Sequence, residues 1–167
     1  MQDVAHQIKV VPMVLPLDVT AGISSDVVNM AKWDHLAIYI QQGAWAAGTP
    51  TLTVEACDDN TPTLSPDMDF TFRTCTMGGA ALSDMWGVRT WSTSTGYTML
   101  NVANTATLIE LSAAEVYANR VATVAANAGY HRVRITITNP AAVCLISVTA
   151  ILTNYRYAED ILATVLD

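Results

Sequence analysis

A chain of 167 residues, 51% hydrophobic and only 14% charged, is long enough to bury a full core as one domain and leaves little room for a second. Lys and Arg number 8 against 15 Asp and Glu, for a formal net charge of −7. That balance excludes the basic footprint that phosphate neutralisation requires, so no direct contact with nucleic acid is expected.

The start, Met1-Gln2-Asp3-Val4, lacks the basic residues and apolar core of a signal peptide. No segment reaches the ~20 apolar residues of a membrane helix. The expectation is a soluble protein made in a cytoplasm, with no membrane partner. Ile8 to Val19 is apolar but contains Pro12 and Pro16, each of which removes a ladder donor. Residues 1–19 are therefore predicted as an edge strand, or an arm lying on a neighbour, and not as a central strand.

Strand signals follow. Leu36, Ile38 and Ile40 alternate with His35, Ala37, Tyr39 and Gln41, the period of a half-buried strand. Leu52, Val54 and Ala56 repeat the pattern against Thr51, Thr53 and Glu55. The turn chemistry between Gly43 and Pro50 predicts a long-looped hairpin joining these two runs. Asp58, Asp59, Asp67 and Asp69 then gather in a loop and its flanks. Their spacing does not match an EF-hand, and turn composition explains them better than a cation site. Phe70 and Phe72 alternate with Thr71 and Arg73, and further strands are predicted at Trp86 to Trp91, Tyr97 to Val102 and Thr107 to Leu111.

Ser112-Ala113-Ala114-Glu115 has the form of a capping box and opens one helix. The Ala-rich run continues to Ala128, with Gly129 as its stop. Val133, Ile135 and Ile137 then alternate with Arg132, Arg134 and Thr136. Ile146, Val148, Ala150 and Leu152 alternate with Leu145, Ser147, Thr149 and Ile151, and Asn139-Pro140 is the predicted turn of a closing hairpin. The tail from Ala158 to Asp167 sets Ile161, Leu162, Val165 and Leu166 at helical spacing, a short amphipathic piece that needs a surface to lie against. The predicted fold is one all-β domain over residues 1–167. It is a mainly antiparallel, jelly-roll-like β-sandwich with one short helix and extended terminal arms.

The search for chemistry returns little. His6, His35 and His131 are far apart and lack zinc-ligand spacing. No nucleophile elbow, phosphate loop or dinucleotide fingerprint is present. Cys57, Cys75 and Cys144 contain no C-x-x-C pair and are expected as small buried hydrophobes, although spacing alone leaves one disulfide open. No catalytic residue, metal site or cofactor is expected, and the chain is not predicted to be an enzyme.

Contact chemistry is richer. Trp33, Trp45, Trp86 and Trp91 all fall in or beside turns and strand ends, and Trp86 and Trp91 have opposite parity in one run. The candidate contact residues are these four together with Val11, Val14 and Leu15 of the first strand. Outward-leaning Leu145 and Ile151 join them, as do Ile161, Leu162 and Val165 of the tail.

The segment Lys32-Trp33-Asp34-His35-Leu36-Ala37-Ile38-Tyr39-Ile40-Gln41-Gln42-Gly43, followed by Thr51-Leu52-Thr53-Val54-Glu55-Ala56-Cys57-Asp58, resembles the small head proteins of tailed bacteriophages, of the decoration or cement type. The later order is similar too: an Ile-Glu-Leu strand, Ser112 to Glu115, Tyr130-His131-Arg132-Val133-Arg134-Ile135, a final strand and Tyr155-Arg156-Tyr157. The likeness spans residues 8–157 and rests on pattern and order. It implies a virion protein that assembles, often as a trimer, on the outer face of the capsid. Its implied partners are the major capsid protein and copies of itself, and it implies no catalytic residue. Another phage head or tail component is a neighbouring reading. A carbohydrate-binding β-sandwich with exposed Trp91 is the alternative from a different class.

Overall fold

The computed structural model describes residues 8–43, 47–77, 85–102, 104–118 and 131–155. In chain order the elements are β1 (Ile8–Val19), β2 (Ile23–Ser24), β3 (Val28–Asn29), β4 (Trp33–Gln42), β5 (Thr51–Cys57) and β6 (Asp67–Met68). They continue with β7 (Phe70–Thr76), β8 (Thr90–Ser92), β9 (Tyr97–Thr98), β10 (Thr105–Ser112), α1 (Ala113–Ala118), β11 (Arg132–Ile137) and β12 (Cys144–Tyr155). The strands form two sheets. The first has the order β1-β12-β4-β10-β7-β8, and the second β2-β11-β5-β6, with β3 also on β11 and β9 on β5.

The pairing is nested and antiparallel: β1 with β12, β2 with β11, β4 with β10, and β5 with β6. First meets last, and so on inward, which is the pairing of a jelly roll. β7 and β8 extend the first sheet beyond β10.

Nested pairing sends β4 and β5 to opposite sheets, and likewise β11 and β12. Both hairpins expected from the sequence are therefore replaced by arches between the layers. Alternation records that one face of a strand is buried, but it does not identify the strand alongside. The connections at residues 43–50 and 138–143 are long enough to cross the ~10 Å between packed sheets.

Where alternation predicts an inward face, that face is buried. Leu36, Ile38 and Ile40 share one core cluster with Leu52, Val54, Val133, Ile135, Ile146 and Val148. Each such side chain contributes roughly 1.5–3 kcal/mol relative to exposure.

β1 is an edge strand, as its prolines predict, and among the described residues it pairs only with β12. The register slips between Pro12 and Val14 and again between Val14 and Leu17. At that irregularity the Met13 carbonyl accepts the Asp26 N–H at 3.1 Å, and Val11, Met13 and Val14 all enter the core. Residues 8–19 thus belong to the sandwich itself.

The capping box forms as read. The Ser112 hydroxyl accepts the Glu115 N–H at 3.2 Å, and the Glu115 carboxylate accepts the Ser112 N–H at 2.7 Å. The predicted continuation to Ala128, the Gly129 stop and the tail at 158–167 lie outside the described residues. Two predicted strands are shorter than expected, since only Thr90–Ser92 and Tyr97–Thr98 are regular. Ahead of β8 the chain still follows β7, with the Gly87 N–H donating to the Thr74 carbonyl at 2.8 Å.

Candidate interaction surfaces

Residues paired across a ladder point to the same side, so register reads out the outer face of the first sheet. One row crosses the whole sheet: Val10, Ile151, Ala37, Glu110, Thr71 and Trp91. The next runs Pro12, Thr149, Tyr39, Leu108 and Arg73. These rows hold one acid and one base between them. The face is almost neutral although the chain carries a net charge of −7.

Exposed apolar side chains concentrate at its two margins. On the β1 side Leu15 is 67% exposed, and Leu145, opposite Asp18 on the neighbouring β12, is 51% exposed. On the β8 side Val88 is 86% exposed and Trp91 61%, with Met85 and Trp86 adjacent in the chain. The Trp86 ring lies edge-on to Tyr39 at 6.2 Å between centroids. Cys75 and Ala106, paired with each other across β7 and β10, are small side chains that are both buried.

The sequence candidates divide accordingly. Leu15, Trp86, Trp91 and Leu145 are exposed, and Ile151 is half-buried in the row just described. Val11, Val14 and Trp33 are corrected: all three are buried in the domain's own core. Trp33 stands edge-on to Tyr155 at 4.9 Å, so it cannot anchor a partner without unpacking that end of β4. Trp45, Ile161, Leu162 and Val165 lie outside the described residues. Val10, Val88, Met85 and Val143 were not singled out from the sequence, because an isolated apolar residue carries no sign of the side it faces.

The outer face of the second sheet is different in kind. Glu55 accepts hydrogen bonds from Arg134 through Nε at 3.1 Å and through Nη2, and from the Thr136 hydroxyl at 2.5 Å. Burial pushes its carboxyl upward, but the bonds from Thr136, Arg134 and Ser65 outweigh that effect and hold it below the usual carboxylate range. Asp67, directly across from Glu55, is raised by burial and by the Glu55 charge against a hydrogen bond from Thr53.

The acidic loop is occupied with its own backbone. Asp58 accepts from the Thr63 hydroxyl and the Asp59 N–H, both at 3.0 Å. Arg132 closes the same loop through Asn60 at 2.6 Å and the Asp58 carbonyl at 3.3 Å. Among the described residues no group of His, Cys, Asp and Glu is arranged to hold a metal ion. All three cysteines are buried, and none is in a disulfide. His35 lies in β4, and His131 stacks on Tyr117 with centroids 5.8 Å apart.

A shallow groove of about 320 Å³ opens at the end of the first sheet where β4 and β12 meet the connection before β10. Its walls include Pro16, Gln41, Met77, Asn104, Leu145 and Ser147. A second hollow of about 310 Å³ lies between α1 and His131.

No protein-family model matches the chain, and no curated protein matches it in sequence. Among solved structures it is similar to the SPBc2 prophage-derived protein YomS, with a TM-score of 0.44 and 11% identity over 88% of this chain and 93% of that one. It is also similar to the protein of T=1 particles derived from infectious bursal virus, with a TM-score of 0.27 and 7% identity over 96% of this chain and 42% of that one. For the Gt strain of infectious bursal disease virus the TM-score is 0.23 and the identity 8%, over 96% and 43%. The chain thus spans less than half the length of those two viral proteins. Similarities of this size carry no inference about what the chain binds.

Proposed function

We propose that this protein is a structural component of a tailed-phage virion, which decorates and stabilises the capsid from its outer face as a homo-oligomer. The observation that carries the reading is the pair of unlike apolar margins on one nearly neutral sheet: Leu15 and Leu145 at one end, Val88 and Trp91 at the other. Unlike patches at opposite ends favour head-to-tail contacts, which close into a ring when the rotation allows, a trimer being the assembly that the sequence resemblance implies. Sparse charge lowers the desolvation cost of such contacts, and charge depletion marks the centres of protein interfaces. The resemblance over residues 8–157 supports the major capsid protein as the second partner. The acidic balance suits a position away from packaged nucleic acid. On this reading the protein works by burying surface and turns over no substrate.

Light scattering and co-sedimentation with mature phage shells test it. The expected result is an oligomer that pellets with shells. Leu15→Asp and Val88→Asp should each give a monomer with unchanged far-ultraviolet dichroism, since both side chains are exposed. A wild-type chain that is monomeric and fails to pellet overturns the reading.

A further inference from the structure

The groove beside β12 has a lining unlike the rest of the surface. None of the residues that form it is ionisable. A charged ligand seated there would lose hydration with no counter-charge to replace it.

The polar groups present are amides and hydroxyls. The Ser147 hydroxyl donates to Gln41 Oε1 at 3.4 Å, and Gln41 Nε2 donates to the Tyr39 hydroxyl at 3.4 Å. Both bonds are at the long limit and exchange readily for better ones. The Asn104 backbone is held at φ 56°, with its carbonyl accepting the Met77 N–H at 2.6 Å. Asn104 is one of the lining residues, so this turn sets an amide-bearing residue at the groove wall.

A planar amide sets a donor beside an acceptor. Two neighbouring hydroxyls on a ring, each able to give and accept, match that arrangement. Pro16, Met77 and Leu145 supply an apolar wall for the C–H face of the same ring. Small-ligand sites commonly combine an apolar wall with a few convergent polar groups in this way.

We propose that this groove is a subsite for an uncharged, hydroxyl-rich ring, a neutral hexose unit of a glycan. The groove shares Leu145 with the margin assigned above to self-contact, so the titration is run on the Val88→Asp chain as well as on the wild type, and binding by the former alone marks a groove covered in the oligomer. Trp91, the obvious aromatic platform from the sequence, lies on the far margin of the sheet, with β12, β4, β10 and β7 set between it and β1. It has no part in this site.

The test is a titration of the isotope-labelled full chain with methyl glucoside, methyl galactoside and methyl mannoside, read on the Gln41 and Asn104 side-chain amide signals. Glucuronate and triglycine amide serve as charged and peptide comparators. At least one neutral glycoside should give saturable shifts in the millimolar range, with glucuronate at least tenfold weaker. Gln41→Ala and Ser147→Ala should each weaken binding about tenfold, the loss of roughly one good hydrogen bond to the ligand. Trp91→Ala should leave it unchanged. No saturable shift with any glycoside in either chain overturns the assignment. So does tighter binding of glucuronate or triglycine amide, or loss on Trp91→Ala with Gln41→Ala unaffected.

Discussion

Glu55 on β5 and Arg134 on β11 stand directly opposite each other across the second sheet, joined through both Nε and Nη2 of the guanidinium. Because Glu55 is only 7% exposed, the pair is shielded from solvent on one side and held in place by Thr136. Replacing Arg134 with Met keeps much of the stem packing and strands a carboxylate. The expected loss is about 2 kcal/mol at pH 7, the order of one hydrogen-bond set to a charged group. The carboxyl of folded Glu55 lies below its ordinary value of 4.5. Its stabilisation is therefore present above that pH and disappears as pH falls through the lowered folded value. Urea denaturation of the variant and wild type at pH 7 and pH 3 should show the gap closing in acid. An equal gap at both pH values would contradict this account.

Asp67 should behave with the opposite sign. It faces Glu55 across the β5–β6 ladder, a like-charge pair that destabilises a sheet. Burial and the Glu55 charge raise its carboxyl above the ordinary 3.8. A raised folded value means that stability is gained when the group protonates and lost as pH rises through that value. Asp67→Asn should therefore stabilise by roughly 0.5 kcal/mol at pH 7, with the gain fading below the ordinary carboxylate range. The same pair of urea curves measures it.

Thr107 carries a polar atom that the core does not use. It is 1% exposed, it sits between Ile40 and Thr74 on the flanking strands, and its hydroxyl has no partner among the described residues. An unsatisfied buried hydroxyl costs on the order of 1–3 kcal/mol. Thr107→Val removes it at nearly constant volume and should raise stability by about 1 kcal/mol. The urea midpoint should increase with an unchanged slope.

The thiols should be silent in the folded protein. Burial pushes Cys57 up to about 12 and raises Cys144 as well, and Cys75 is buried too. Since the thiolate is the reactive form, Ellman's reagent at pH 8 should register no rapid reaction with the native chain. All three groups should react once urea unfolds it.

These cases mark what was legible in the sequence. Period-two alternation located β4, β5, β7, β10, β11 and β12, and the capping box placed the start of α1 correctly. Both signals are local, each depending on one stretch of backbone. Partner choice is not local. The alternation at Leu36 and at Leu52 looks the same whether the strands form a hairpin or an arch, so nested pairing stayed hidden. Parity also fails where register slips. Met13 and Val14 are neighbours, yet both are buried beside the irregularity that follows Pro12. Val14 consequently faces inward where an outward contact was expected. Trp33 is buried because Tyr155 closes over it and Ala113 and Val116 of α1 join the same cluster, an arrangement that depends on three distant stretches of chain. The groove was unreadable for the same reason: Gln41, Asn104 and Ser147 meet only through the order β12-β4-β10.

The two arches that replaced the expected hairpins also make the sharpest mutational prediction. Gly48, in the arch between β4 and β5, has φ +94° and lies against Pro140, in the arch between β11 and β12. A Cβ placed on Gly48 would sit 1.8 Å from the Pro140 carbonyl oxygen, a distance that no side-chain adjustment can relieve. The positive φ adds strain of its own for any L-residue. Gly48→Ala must therefore push the arches apart where the Thr138 N–H donates to the Thr51 carbonyl and the Thr51 N–H donates to the Thr138 hydroxyl. The expected cost is at least about 2 kcal/mol. At Gly43, in the same connection, an added Cβ meets its nearest atom at an ordinary 3.4 Å and the backbone needs no positive φ. Gly43→Ala should thus cost less than about 1 kcal/mol. Had the β4–β5 connection been a hairpin, with the loop extending past the end of its own sheet, Gly48 would not face the β11–β12 arch and Gly48→Ala would carry only the cost of its positive φ. Thermal unfolding of the pair distinguishes the arrangements.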